Sequence, residues 1–249
     1  MRILIWGASG RMGGEVARLC REGYRGAVAV GGFDVAPSVC DFPVWSDPAA
    51  VCAEADCIVD FSHHAGTEAM LAFAVAHKIP AVIATTGHTE GEEAAILEAA
   101  KSIPVFHSAN MSLGIALLVE LAKKAALAMP DADIEIVEKH HNRKLDAPSG
   151  TALMLSRAIR EVRPEAVDKT GRSGMAKREK NEIGIHAIRM GNIIGEHEVI
   201  LGTDSQTVTL KHEAHSRALF AEGGLCAAEF LITRPAGLYR MNDMIRGEA

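Results

Sequence analysis

The chain opens on an apolar run, Ile3 to Trp6, that breaks at once into Gly7-Ala8-Ser9-Gly10-Arg11-Met12-Gly13 and then into a helical pattern from Met12 to Arg21. Few folds accept that order. A strand that turns through closely spaced glycines into a helix brings backbone N–H groups and a positive helix end to one point, where a pyrophosphate can sit. The spacing is G-x-x-G-x-x-G rather than G-x-G-x-x-G, and such a turn also serves as an ordinary tight turn. Asp34 narrows the choice. It ends the next strand-like run, Ala27 to Phe33, about twenty residues past the last glycine, where a carboxylate can accept hydrogen bonds from a ribose diol.

The alternation continues. Cys57 to Phe61, Ala81 to Ala84 and Pro104 to Phe106 read as strands, with helices near Gly66 to Ala76 and Glu90 to Ala100 between them, the pattern of a doubly wound parallel sheet. Past Asn110 the texture changes to a helix from Ser112, a strand near Ile134 to Glu138 and a helix opening at Ser149-Gly150-Thr151. Three strand-like runs then follow without helices between them, Ile183 to Met190, Glu196 to Leu201 and Thr207 to His212, which predicts a mixed sheet in a separate α+β domain. The Gly- and Lys/Arg-rich segment from Glu165 to Glu182 reads as a solvated connection or a loop over a site. A final helical pattern, Ala218 to Ile232, is expected to pack back on the first domain. Residues 1–110 with 218–249 are thus assigned to a Rossmann-like α/β dinucleotide-binding domain, and residues 111–217 to a second, α+β domain.

Composition bounds the partners. The net charge of -6 argues against a nucleic-acid surface, and 48% apolar with 23% charged residues is the balance of an ordinary globular protein. Five cysteines, odd in number and without Cys-x-x-Cys spacing, suggest neither a disulfide framework nor a thiolate metal site and fit a reducing cytoplasm. Ile3 to Trp6 is too short for a signal peptide, and Leu113 to Met129 is interrupted by Glu120, Lys123 and Lys124, so no membrane association is expected.

Further ligand contacts are expected where later strands end. Thr85-Thr86-Gly87 and Ser108-Ala109-Asn110-Met111-Ser112 both occupy such ends, although threonine, serine and asparagine are also common there as turn and cap residues. Val35 follows Asp34 where a site for a 2′-phosphate often carries Arg or Lys, and the Asp34 carboxylate repels that phosphate. NADH is therefore expected to serve at least as well as NADPH, with Arg11 the residue most able to reverse that order.

The most informative stretch joins a strand end to a helix start: Glu138-Lys139-His140-His141-Asn142-Arg143-Lys144-Leu145-Asp146-Ala147-Pro148-Ser149-Gly150-Thr151-Ala152. Two histidines and a lysine in a loop gather donors suited to carboxylates and to proton transfer near neutral pH. The helix start at Ser149-Gly150-Thr151 adds backbone N–H groups and a favourable dipole for an anion. On their own these residues also fit a solvated loop with a Ser149 cap. The pair His140-His141 lacks the i, i+4 spacing of a zinc pair, so no metal is expected there.

These residues carry a resemblance. The glycine turn and Glu138-x-His140-His141-x-x-Lys144-x-Asp146-Ala-Pro-Ser-Gly-Thr-Ala152 look like the two signatures of dihydrodipicolinate reductases. The likeness continues through Asp60-Phe61-Ser62-His63, Thr85-Thr86-Gly87, Gly184 to Arg189, Gly195-Glu196-His197, His212 to Ala221 and Gly237-Leu238-Tyr239. It implies reduction of 4-hydroxy-tetrahydrodipicolinate, a small cyclic dicarboxylate of lysine and diaminopimelate biosynthesis, by NADH or NADPH. It also implies a central domain that both binds substrate and builds a homotetramer. By motif position, His140 resembles the family's proton donor/acceptor and Lys144 its proton donor, while His141, Gly150 and Thr151 match substrate-carboxylate contacts. Cofactor contacts would be Gly7, Ala8, Ser9, Gly10, Arg11, Met12, Asp34, Ala84, Thr85, Thr86, Ser108, Ala109, Asn110 and Met111. Two departures stand out: Ala84 replaces a glycine common before the two threonines, and Val35 replaces a basic residue that some members carry.

Rival readings lack their residues. A semialdehyde dehydrogenase needs a cysteine nucleophile in the catalytic segment, and a hydrolase of the common kinds needs Gly-x-Ser-x-Gly or His-Glu-x-x-His; the sequence has none of these. Another Rossmann-type oxidoreductase on a small dicarboxylate, or a regulatory module that senses NAD(P)H, remains as an alternative, and the sensor has no need of the His-His-Lys loop.

Overall fold

In the computed structural model, which describes residues 1–52 and 54–246, the chain divides into two compact units, Met1–Leu113 with Ala218–Ala249 and Gly114–Arg217. The boundary falls three residues later than the change of texture after Asn110, because the segment up to the start of the fourth helix stays with the first unit.

The first unit begins with β1 (Arg2–Trp6), α1 (Arg11–Arg21), β2 (Val28–Phe33), β3 (Val44–Trp45), β4 (Cys57–Asp60), α2 (Thr67–His77), β5 (Ala81–Ile83), α3 (Glu90–Ala99) and β6 (Pro104–His107). The second contains most of α4 (Leu113–Ala128), then β7 (Asp133–His140), α5 (Gly150–Val162), β8 (Val167–Thr170), β9 (Glu182–Arg189), β10 (Gly195–Gly202) and β11 (Thr207–Ala214). The first unit is completed by α6 (Ala218–Leu231), β12 (Gly237–Tyr239) and α7 (Met241–Arg246).

Ile3, Leu4, Ile5 and Trp6 are all fully buried, as a strand covered on both faces requires. β1 therefore lies inside a seven-stranded parallel sheet of order β12-β6-β5-β4-β1-β2-β3. The chain leaves β1 to one side for β2 and β3 and returns on the other for β4. This reversal opens a crevice beyond the carboxyl ends of β1 and β4, where ligands of such sheets bind. Trp6 stacks on Phe33 with ring centroids 4.2 Å apart, tying the strand ends that frame the crevice.

The second unit holds a five-stranded mixed sheet of order β11-β10-β7-β9-β8. β7 runs antiparallel to β10 and parallel to β9. One face carries Ile134 and Ile136 of β7, Ile183 and Ile185 of β9, and Val199 and Leu201 of β10, packed with Ile115, Leu118 and Val119 of α4 and Leu155 and Ile159 of α5. The segment from Glu165 to Glu182 is not wholly a connection. Val167–Thr170 forms the edge strand β8, paired in parallel with β9. Its exposed side chains conceal it from a hydrophobic pattern.

The turn after β1 yields a direct test. A Cβ at Gly13 would lie 2.1 Å from the carbonyl oxygen of Gly7, whereas one at the neighbouring Gly14 would meet nothing within 4 Å. Gly13→Ala should cost about 1–3 kcal/mol as an overpacking change, while Gly14→Ala on the open side of α1 should gain up to about 1 kcal/mol. Urea midpoints of the two variants should move in opposite directions, and a Gly13→Ala midpoint at or above that of the wild type would contradict the packing.

Candidate active site

In the first unit the glycine turn has the form that anion binding needs. Gly7 adopts φ +83°, and a Cβ there would lie 2.8 Å from Ser62 Cα, so only glycine lets the ends of β1 and β4 approach this closely. Gly10 is the N-cap of α1 and makes no side-chain cap bond, which leaves the opening N–H groups at Arg11 and Met12 available to a phosphate. Asp34 secures this turn from β2. One carboxylate oxygen accepts from the Ser9 N–H at 2.9 Å and the other from the Ala36 N–H at 3.0 Å. A cavity of about 550 Å³ opens beside it, lined by Gly7, Gly10, Asp34, Val35, Phe61 and Ser62 among others. A carboxylate at its wall, glycine backbone at its floor and an uncapped helix start fit a dinucleotide with its ribose at Asp34.

The remaining residues expected here divide. Ala8, Ser9, Arg11 and Met12 follow Gly7 in the turn, and Ser9 Oγ is already engaged by the Ser38 N–H at 2.9 Å. Ala84 is buried just past β5. Thr85 is buried as well, and its hydroxyl donates to Asp60 Oδ2 at 2.9 Å. Burial raises the Asp60 carboxyl above its usual range, against the hydrogen bonds from Ser62 and Thr85. Thr86 is exposed. Beyond β6, Ser108 Oγ donates to the Asn110 carbonyl at 2.8 Å, Asn110 Oδ1 accepts from the Ser112 N–H at 2.9 Å, and Met111 is buried, with Ala109 between them.

The second unit builds its site from strand alternation. Ile134 and Ile136 face the core, and two residues on the same face receives Glu138. On β10 the same register carries Leu201 and Val199 on to His197, directly opposite Glu138. The apolar face of the sheet therefore ends in a polar rung at the end nearest α5. A carboxylate with no exposed surface is tolerable only if fully bonded, and Glu138 is. Arg189 at the end of β9 grips it with two N–H donors at 2.8 and 2.7 Å, the Ser149 N–H donates at 3.0 Å, and His140 Nδ1 lies 2.5 Å away. Burial would raise the Glu138 carboxyl, but the hydrogen bonds from His140, Arg189 and Ser149 outweigh it and hold it down to about 2.

This network decides which atom His140 presents. An ionised Glu138 can only accept, so His140 Nδ1 carries the hydrogen and Nε2 faces outward. A Cβ placed at Gly195 would lie 3.2 Å from that Nε2, so the bare glycine keeps the ring's reactive edge clear. His197 crosses His140 at 74° with centroids 5.2 Å apart, and its Nε2 lies 3.0 Å from Ser149 Oγ. Burial, helped by the neighbouring His140, lowers the His197 ring to about 4, which keeps it neutral beside His140.

The helix start is arranged for an anion. Ser149 is the N-cap of α5 and accepts from the Ala152 N–H at 3.2 Å, placing Gly150 and Thr151 in the first turn at the positive end. No atom would meet a Cβ at Gly150 within 4 Å, so the approach is open. Lys144 Nζ pairs with Asp146 Oδ1 at 2.8 Å on a half-exposed carboxylate, a contact that a competing carboxylate can replace at little cost. His141 Nδ1 is buried and bonds to no protein atom. Burial and the nearby Arg143 and Arg217 hold its ring below the usual histidine range. His140, His141, Lys144, Gly150 and Thr151 thus belong to one segment around Glu138. Sequence reasoning quoted Glu138, Arg189 and His197 without giving them roles; only the period-2 phase of β7 and β10 pointed inward for Glu138 and His197.

The buried ring of His197 gives stability a defined pH dependence. In the unfolded chain it takes a proton near the ordinary 6.5, and in the folded chain only near 4. Between those values the unfolded state binds more protons, so its contribution is full above pH 6.5 and lost as pH falls to 4. The unfolding free energy of the wild type should drop across this interval by on the order of 1–3 kcal/mol more than that of His197→Gln. Parallel pH slopes for the two proteins would show that the ring is not held neutral.

Comparison with known proteins agrees with both halves. Residues 1–111 match the family model described as dihydrodipicolinate reductase, N-terminus, and residues 114–245 the one described as its C-terminus. The 4-hydroxy-tetrahydrodipicolinate reductase of Caldanaerobacter subterraneus subsp. tengcongensis is 48% identical over 248 residues, spanning 99% of this chain and 98% of its own. That of Clostridium novyi is 40% identical, with 99% of each chain covered. Among solved structures, a dipicolinate-bound dihydrodipicolinate reductase from Paenisporosarcina sp. TG-14 superposes with a TM-score of 0.82 at 25% identity, covering 97% of this chain and 98% of its own. A diaminopimelate dehydrogenase from C. glutamicum, at 14% identity and a TM-score of 0.57, shares the fold. Matched from end to end by both family models and by full-length relatives, the chain belongs to the 4-hydroxy-tetrahydrodipicolinate (dihydrodipicolinate) reductase family.

Proposed function

We propose that the chain reduces 4-hydroxy-tetrahydrodipicolinate to tetrahydrodipicolinate, with release of water, in the route to diaminopimelate and lysine. The observation that carries this reading is the Glu138-bound His140, its Nε2 free, on the same loop as Lys144 and the start of α5. The relatives named above are reductases of this substrate, and the Paenisporosarcina enzyme was solved with dipicolinate, a planar ring bearing two carboxylates.

Each side chain then has a task. The backbone of Gly150 and Thr151, at the positive end of α5, receives one carboxylate of the substrate, and His141 and Lys144 the other. Lys144, released from Asp146, donates a proton from Nζ. His140 donates or accepts at Nε2, with the resulting charge stabilised through Nδ1 by Glu138. Gly7 to Met12, Asp34, Ala84 to Thr86 and Ser108 to Met111 would hold NADH or NADPH, which would supply the hydride. Substrate, reduced cofactor and one proton balance product, oxidised cofactor and water.

Asp34 and Val35 support use of NADH at least as efficiently as NADPH, since the carboxylate disfavours a 2′-phosphate and position 35 offers no cation to offset it. Family membership supports a homotetramer built on the second unit, and five free cysteines fit a reducing cytoplasm. No helix among the described residues is long and apolar enough to cross a membrane.

With substrate generated in situ, Lys144→Ala and His140→Ala should each lower kcat by roughly 10²- to 10⁴-fold, the range for losing a general acid or base. Near-normal turnover in both would remove the catalytic assignment, and binding of NADH without any oxidation would favour a sensor. In the same assay kcat/KM for NADH should equal or exceed that for NADPH; a marked preference for NADPH would overturn the cofactor reading and implicate Arg11.

A further inference from the structure

We propose that His88, Glu93 and His107, in the first unit, form a binding site for a divalent cation of the zinc class. The three residues come from separate elements: His88 from the loop after β5, Glu93 from the first turns of α3, and His107 from the end of β6. Each offers one ligand atom, and these atoms lie within 4.8 Å of one another, the one such grouping of histidine, cysteine and carboxylate donors among the described residues.

His107 makes the grouping more than a chance approach. It is 6% exposed, its Nδ1 is buried with no hydrogen-bond partner, and the nearest carboxylate oxygen, Glu93 Oε2, is 3.6 Å away. A buried ring nitrogen left unbonded is costly and calls for an explanation. An ion pair with Glu93 explains less, because it requires a charged ring in a buried position and leaves His88 without a part.

His88 is oriented as a metal ligand would be. Its Nε2 lies 2.9 Å from the hydroxyl of Thr67, which is itself fully buried, and a fixed partner on one ring nitrogen is what commonly aims the other. The two imidazoles meet edge to face, with centroids 5.2 Å apart at 85°. Two imidazoles with one carboxylate suit zinc and its neighbours, whereas magnesium and calcium prefer all-oxygen sets. Ligands at about 2.0–2.2 Å in a tetrahedron are roughly 3.4 Å apart, so donors up to 4.8 Å apart must draw together by up to about 1.4 Å. Glu93, whose side chain is 46% exposed, and His88, in a loop, are placed to do so, with water as the fourth ligand. The ion would tie the Thr85-Thr86-Gly87-His88 segment to β6.

The full-length chain, stripped with EDTA, should be titrated with zinc chloride by calorimetry and with cobalt chloride by visible absorption, in parallel with Glu93→Gln and His88→Gln. Both substitutions lie outside the buried core, and circular dichroism checks that the variants fold. The wild type should bind one equivalent, and each variant should bind more than about tenfold more weakly, beyond the lower end of losses from outer-shell partners, with the cobalt bands diminished. No saturable binding by the wild type, or wild-type affinity retained in either variant, would overturn the site.

Discussion

A buried carboxylate governs the second unit. Glu138 sits where the apolar face of a sheet should continue, and leaving water there would be prohibitive for an unpaired charge. Arg189, Ser149 and His140 together make the position tenable. Each bond also fixes something functional: Arg189 joins the ends of β7 and β9, the Ser149 N–H anchors the first turn of α5, and His140 is held in one tautomer. Removing the carboxylate would take from the half-buried Arg189 the anion it grips and leave it only the Ile188 and Asp146 carbonyls, and breaking such a pair by removing one partner is costly.

Both units present a helix start to an anion, by different means. α1 opens on Gly10 with no side-chain cap, so its first N–H groups are left to water or a ligand, and Asp34 braces the turn from outside through Ser9. α5 opens on Ser149, which caps Ala152 and spends its own N–H on Glu138. The first arrangement suits a diphosphate that lies against bare backbone; the second suits a carboxylate next to groups that move protons. Neither depends on surface charge, which accords with a chain of net charge -6 that handles anionic ligands.

The parts legible in sequence were those written locally. The glycine turn, Asp34 and the run from His140 to Thr151 are contiguous motifs, and the long strands β1, β9, β10 and β11 declared themselves by apolar runs or alternation. β3 and β12 are short and have no buried residue, unlike the equally short β5, and β8 is exposed along most of its length, so no apolar pattern reveals them. The Arg189–Glu138 bonds join residues 51 positions apart in sequence and the Ser149–His197 bond residues 48 apart, distances over which only the fold brings partners together. The Thr85 hydroxyl, available to a ligand on sequence grounds, is committed to Asp60 by burial that the sequence does not display.

One hydrogen decides what the site can do: His140 carries it on Nδ1, facing Glu138, and keeps Nε2 for chemistry. Nitrogen-15 NMR of imidazole-labelled protein reads this directly. At neutral pH the Nδ1 resonance of His140 should be that of a nitrogen bearing hydrogen, as its bond to Glu138 requires. An Nε2–H tautomer with a bare Nδ1 at neutral pH would contradict the account.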